Sequence, residues 1–148
     1  QARLRLPGTG GIPDVTTYSS DIFMYVPRHS RLTFVSKLDV CSGLGYSELR
    51  HRGFGPRYLV SDMGQFDFAH GRMRLLTYHP HCSISEIKAR TGFELEIAPD
   101  VVATPEPGAE ALRLLREEVD PLGIRRLELL SGTDRRQLLA EIMAQENL

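Results

Sequence analysis

The sequence predicts an α/β fold, an open sheet with flanking helices. Short β-rich runs fill its first half, helical stretches alternate with a further strand after them, and a capping signal marks the change. Residues 3–6 read as a strand that leads directly into the turn-forming cluster Pro7-Gly8-Thr9-Gly10-Gly11. Residues 22–26 and 32–35 are β-rich runs separated by Pro27-Arg28-His29-Ser30, and residues 42–55, punctuated by glycine, read as loop. Three more strands follow at 57–61, 65–68 and 73–78. The spacer Ala69-His70-Gly71-Arg72 joins the last two as a hairpin.

Helices dominate the remainder. Ser83-Ile84-Ser85-Glu86 is a capping box, opening a short helix whose Ile84 and Ile87 face inward and which stops at Gly92. A strand is predicted over 94–97. Thr104-Pro105 predicts the start of a second helix with Ala111, Leu112, Leu115 and Val119 as its buried stripe, ended by Asp120-Pro121. Thr133 is the expected cap of a third helix that carries Leu138, Leu139, Ile142 and Met143 on one side, available to a partner or to its own domain. The domain expectation is one unit over 1–130 and a helical extension over 131–148. Because the chain opens on Gln1 with a strand-like run, the expectation is also that it is a piece of a longer polypeptide.

Composition narrows the function classes. A chain of 148 residues with 41% hydrophobic and 25% charged residues can build a hydrophobic core. With 18 basic and 19 acidic side chains the net charge is −1, a balance that recruits neither nucleic acid nor an anionic membrane. No apolar run is long enough to span a bilayer and no signal pattern opens the chain, so the expectation is a cytoplasmic protein whose Cys41 and Cys82 are free thiols.

Three segments are candidates for chemistry. The glycines of the 8–11 loop let a backbone approach a ligand closely, although the loop matches neither a Walker A pattern nor the dinucleotide fingerprint, and a plain tight turn is the other reading. Ser42-Gly43-Leu44-Gly45-Tyr46 offers the same pair of readings, and Ser42 lies in no G-x-S-x-G elbow. Tyr78-His79-Pro80-His81-Cys82 invites a metal, but a zinc site needs three or four ligands and no second cluster completes it. His29, His51 and His70 read as solvated loop histidines. Asp62 and Asp67 flank the Met63-Gly64 turn, where either could meet a ligand or a neighbouring subunit.

Taken in order, the motifs resemble a known family. Gly8-Thr9-Gly10-Gly11-Ile12-Pro13-Asp14-Val15, Phe34-Val35-Ser36-Lys37-Leu38-Asp39 and Ser42-Gly43-Leu44-Gly45-Tyr46 resemble glutaconate-type (family I) CoA-transferase β subunits. So do Leu59-Val60-Ser61-Asp62-Met63-Gly64-Gln65-Phe66-Asp67-Phe68, Tyr78-His79-Pro80, Ser83-Ile84-Ser85-Glu86-Ile87, Thr91-Gly92-Phe93-Glu94-Leu95 and Val119-Asp120-Pro121-Leu122-Gly123-Ile124. The resemblance covers roughly residues 5–128, the C-terminal part of such a subunit. It departs at His81, where the family carries a small residue.

The resemblance implies an open α/β fold with the active site between α and β subunits. It implies coenzyme A as cosubstrate rather than a covalently held cofactor, and an acyl-CoA thioester as substrate. A glutamate of the β subunit attacks that thioester, giving a mixed anhydride and then an enzyme-bound CoA thioester. That glutamate lies upstream of the 8–11 loop, so no residue here inherits the role, and the implied partners are an α-type subunit and the N-terminal part of the β subunit. The implied substrate-binding residues are Gly8, Gly10, Gly11, Asp14, Ser42, Gly43 and Gly45. A second branch, hydrolases that open a steroid-derived ring held as a CoA thioester, is also similar. Val40-Cys41-Ser42-Gly43-Leu44-Gly45-Tyr46 resembles that branch more, since transferases tend to carry Ser-Pro-Gly there; its catalytic glutamate sits on the partner subunit. From other classes, a non-catalytic CoA- or sugar-phosphate-sensing domain and a docking fragment stay open.

Overall fold

The computed structural model describes residues 8–50 and 52–146, so the strand expected at 3–6, Pro7 and His51 lie outside the described residues. The backbone forms two compact units, one through Thr104 and one from Pro105.

The first unit holds a five-stranded sheet in the order β1-β2-β3-β4-β5. A short helix α1 (Ile12–Tyr18) precedes β1 (Ile22–Val26); β2 (Pro56–Ser61), β3 (Gly64–Ala69) and β4 (Arg72–Tyr78) follow as an antiparallel meander. At the β3–β4 turn both His70 (φ 50) and Gly71 (φ 76) have positive φ, the backbone of the two-residue turn whose twist matches paired strands. Helix α2 (Ile84–Arg90) then carries the chain to β5 (Glu96–Ala103), parallel to β4, while β1 lies parallel to β2 at the other edge. The capping box forms as expected: Ser83 Oγ accepts the Glu86 N–H, and a Glu86 carboxylate oxygen accepts the Ser83 N–H at 2.9 Å.

Period-two alternation puts Leu59, Phe66, Met73 and Leu75 on one sheet face, and Ile87 of α2 joins Met63, Leu95 and Phe34 in the same core cluster. Phe66, Leu75 and Ile87 are fully shielded. On the opposite face Phe23 and Tyr25 pair in register with Tyr58 and Val60, and all four are exposed; the Phe23 and Tyr58 rings stack at 5.8 Å.

Several local expectations change. Residues 32–35 form a turn instead of a strand, because Thr33 and Phe34 both donate their N–H to Ser30 O (3.0 and 2.9 Å). The turn sends Phe34 into the core and leaves Leu32 93% exposed, a split that alternating strand residues could not achieve. Strand β5 runs on through Pro99, which sits where the β4 register is irregular and where a missing N–H is tolerated. In the second unit, helix α3 (Ala109–Leu114) starts later than Thr104-Pro105 suggests. Pro107 denies helical geometry to Glu106, so the chain stays extended until Gly108.

A wide i→i+5 turn (Leu115–Val119) continues α3. Ala111 and Val119 are exposed and Leu112 and Leu115 only half-buried, so the expected stripe is not buried. After a 3-10 turn (Ile124–Glu128), helix α4 (Gly132–Gln145) begins behind Ser131, earlier than a Thr133 cap allows. Leu138 and Ile142 are buried on it, while Leu139 and Met143 are not. Among the described residues no helix is long and apolar enough to cross a membrane.

Candidate functional site

The 8–11 loop closes through Ile12, whose N–H donates to Thr9 O at 3.2 Å, and Gly10 takes φ +56 to make the bend. Gly11 then stands at the N-cap position of α1, and Asp14 lies exposed in its first turn. A Cβ placed on Gly8 or Gly11 would meet no atom within 4 Å. At Gly8 no positive φ is present either, so neither packing nor turn geometry there demands glycine. No residue of α1 is buried.

Hydrogen bonds fix α1 instead. Thr16 Oγ1 donates to Ile12 O (2.7 Å) and accepts the N–H of Leu44 (3.1 Å), which brings the 42–46 segment against the helix. A Cβ on Gly43 would stand 3.2 Å from Thr16 Cγ2 and 3.6 Å from Ile12 Cγ2, so glycine permits the approach. The Arg50 guanidinium spans both parts: Nη1 donates to Thr16 O (2.6 Å), Leu44 O (2.8 Å) and Gly45 O (3.3 Å), and Nη2 to Ser19 O (3.0 Å). Tyr46 directs its hydroxyl to Pro56 O and tilts against Phe68 at 6.0 Å; burial, then the Asp67 charge, raises its phenol above the ordinary value. Beside it opens a surface hollow of about 570 Å³ lined by Tyr46, Phe54, Tyr58 and Phe68, with the Arg57–Asp21 ion pair (2.7 Å) also on its wall.

The histidine-rich stretch serves the fold. His79 Nε2 donates to Ser61 O (3.0 Å) and its Nδ1 meets Thr104 Oγ1 (3.1 Å), while His81 Nε2 donates to Asp62 O (3.2 Å). Among the described residues no group of three His, Cys, Asp or Glu side chains could hold a metal ion. Asp67 is engaged by both Arg74 Nε (3.0 Å) and Nη2 (2.6 Å), and Asp62 accepts the backbone N–H of His29 (2.7 Å).

No protein-family model matches the chain. Over 130 residues it is 32% identical to the β subunit of glutaconate CoA-transferase from Acidaminococcus fermentans, an alignment covering 80% of this chain and 47% of that relative. It is 31% identical over 129 residues to IpdB, from the cholesterol ring-cleaving hydrolase of Rhodococcus jostii, covering 82% and 51%. The crystal structure of Rhodococcus jostii IpdAB superposes with TM-score 0.77 at 29% identity, over 89% of this chain and 55% of that one. The Acidaminococcus fermentans transferase superposes with TM-score 0.72 at 25% identity, over 89% and 52%. The chain is homologous to the glutaconate CoA-transferase β subunit and to IpdB. It spans about half the length of these relatives. The decarboxylase AibA/AibB has the same fold at TM-score 0.66 and 28% identity, over 78% of this chain and 45% of that one, so the homologues of this chain are enzyme subunits of differing chemistry.

Against that homology, the residues expected at a CoA-ester site fall into two groups joined by α1. Gly8, Gly10, Gly11 and Asp14 lie at its N-terminal end, and Ser42, Gly43 and Gly45 belong to the segment tethered to its Ile12–Thr16 side. Two features escaped the sequence reading. Arg50 sits in Glu48-Leu49-Arg50, where nothing distinguishes it from a solvated loop cation. His29, expected in solvent, is 2% exposed. Thr91 Oγ1 donates to Ile87 O, so His29 Nε2 donates to Thr91 Oγ1 (3.0 Å); Ser61 Oγ accepts the Met63 N–H and in turn faces His29 Nδ1 (3.1 Å). The ring stacks on Phe34 at 4.0 Å, and desolvation holds its pKa below the ordinary histidine value.

Proposed function

We propose that the chain forms the CoA-ester-binding part of a CoA-transferase-like enzyme that moves CoA between carboxylic acids, with coenzyme A as cosubstrate and no covalently held cofactor. The observation that carries this reading is the 8–11 loop, open on the outside at Gly8 and Gly11 and coupled through α1 to a second glycine segment, in a chain homologous to the β subunit of such an enzyme. Gly8, Gly10, Gly11, Asp14, Ser42, Gly43 and Gly45 line the site. Loop N–H groups polarise the thioester carbonyl, which makes its carbon more open to attack by a carboxylate. That carboxylate, a glutamate, comes from outside residues 1–148. The substrate-binding domain is residues 1–130, with 131–148 as an extension, and the enzyme works in the cytoplasm.

The partners are an α-type subunit and the N-terminal part of the β subunit. The two-subunit AibA/AibB and IpdAB relatives support this, as does the exposed Phe23, Tyr25, Tyr58 and Val60 face, a patch of the kind that marks protein contacts. Residues 1–148 alone are therefore expected to show no turnover of acyl-CoA esters and to need the complex for activity.

Gly11→Val in the assembled enzyme tests the site. It avoids the backbone strain that a side chain at Gly10 would bring, places its Cβ where no atom lies within 4 Å, and is expected to abolish turnover of an acyl-CoA panel. Full activity in that variant would refute the reading. A second reading, hydrolytic opening of a ring held as a CoA thioester, is favoured by Val40-Cys41-Ser42-Gly43-Leu44-Gly45-Tyr46. Consumption of a cyclic acyl-CoA with water as the only co-reactant, giving a ring-opened product that still carries its CoA thioester and needing no acceptor acid, would decide for it.

A further inference from the structure

Arg50 is chemically odd. Among the described residues its hydrogen bonds all go to main-chain carbonyls, Thr16 O, Ser19 O, Leu44 O and Gly45 O, and its buried Nε has no partner. A guanidinium with no carboxylate beside it among the described residues is a costly way to hold two loops, unless a fixed geometry is what matters. Thr16 and Ser19 offer carbonyls at the C-terminal end of α1, where helices leave acceptors unsatisfied, and Leu44 and Gly45 belong to the glycine segment. One planar fork thus reads both segments at once. Thr16 Oγ1 adds a second tie, through the Leu44 N–H.

We propose that Arg50 is a positioning residue for the CoA ester: it sets the 42–46 segment against α1, and so against the 8–11 loop, without touching substrate. This rests on the reading of the glycine segments as the ester site. Lysine cannot replace it, because a single ammonium nitrogen cannot stand at both Nη1 and Nη2. A displacement of about 1 Å in such a site costs on the order of 100-fold in rate.

The test uses the assembled enzyme, coenzyme A as binding probe, and a panel of acyl-CoA esters. Arg50→Lys should lower kcat/KM about 100-fold and weaken coenzyme A binding in calorimetry. It should also speed hydrogen exchange at the Leu44 amide, with the melting temperature moved by only a few degrees. In Arg50→Ala, added guanidinium ion should restore part of the lost rate, a response that Gly11→Val should not give. Arg50→Lys with kcat/KM within about twofold of the parent, alongside an inactive Gly11→Val, would overturn the role of Arg50 and leave the site reading standing. If Gly11→Val is active as well, both fail. If neither Arg50 variant assembles, Arg50 is a folding determinant and the proposal is overturned too.

Discussion

The sheet core and the α1 region solve the same problem by opposite means. In the core, Phe66, Leu75 and Ile87 are wholly shielded and the β3–β4 ladder pairs Phe66 with Leu75, so packing and strand pairing set the geometry together. No residue of α1 is buried: Ile12, Val15 and Tyr18 are 50%, 56% and 63% exposed, and position depends on Thr16 and Arg50. The contrast separates residues that make the protein stable from residues that shape its surface for something else.

The largest effect that would sharpen this contrast is Phe66→Ala, which removes a fully enclosed ring and should cost about 3–5 kcal/mol in urea unfolding. Loss below about 1 kcal/mol would mean the core is looser than its burial implies. Next comes the pH response of His29. Its folded pKa lies below the unfolded value of about 6.5. The unfolded chain therefore takes up a proton first as pH falls, so the stability contributed is fully present above about pH 6.5 and declines below it. The charges that act on the ring are Asp62, which favours the protonated form, and Arg90, which opposes it. Unfolding midpoints at pH 7.5 and 5.5 should differ more in the parent than in His29→Gln. Equal differences would place the acid sensitivity elsewhere, for instance in Asp21 or Glu86, whose carboxyls are held low by Arg57 and by the Ser83 cap and which act in a more acidic window.

The smallest effect is the most telling for α1. Gly8→Ala adds a methyl group into open space with no strained φ, and should change stability by less than about 0.5 kcal/mol. If the same variant weakens coenzyme A binding, the loop is shaped for a ligand. A clear loss of stability would show that the loop has a structural task after all.

Most of the sheet was legible in the sequence because β1 to β4 are short β-rich runs bounded by turn-forming residues. Ser83 and Glu86 announced α2 for a reason of equal locality. What stayed hidden depends on contacts distant in sequence. Phe34 looks like a strand residue until His29, held by Ser61 and Thr91, gives its ring something to stack on. Arg50 reaches acceptors 31 and 34 positions away, a relation that no local pattern encodes. The second proline, Pro107, could have been used to delay α3, since its effect on Glu106 is local. The glycine segments were visible as turns, but their meeting through Thr16 was not.

The parallel pairing of β1 with β2 has a kinetic consequence. Antiparallel β2, β3 and β4 can zip together through short turns, whereas β1 can join only after residues 27–55 have been closed into a loop, and that loop contains the 42–46 segment and Arg50. Loop-closure entropy delays such long-range pairing. During refolding, pulse-labelled amides of the meander should gain protection before those of β1 and Leu44, so that the protein acquires its hydrophobic interior first and the surface around α1 last.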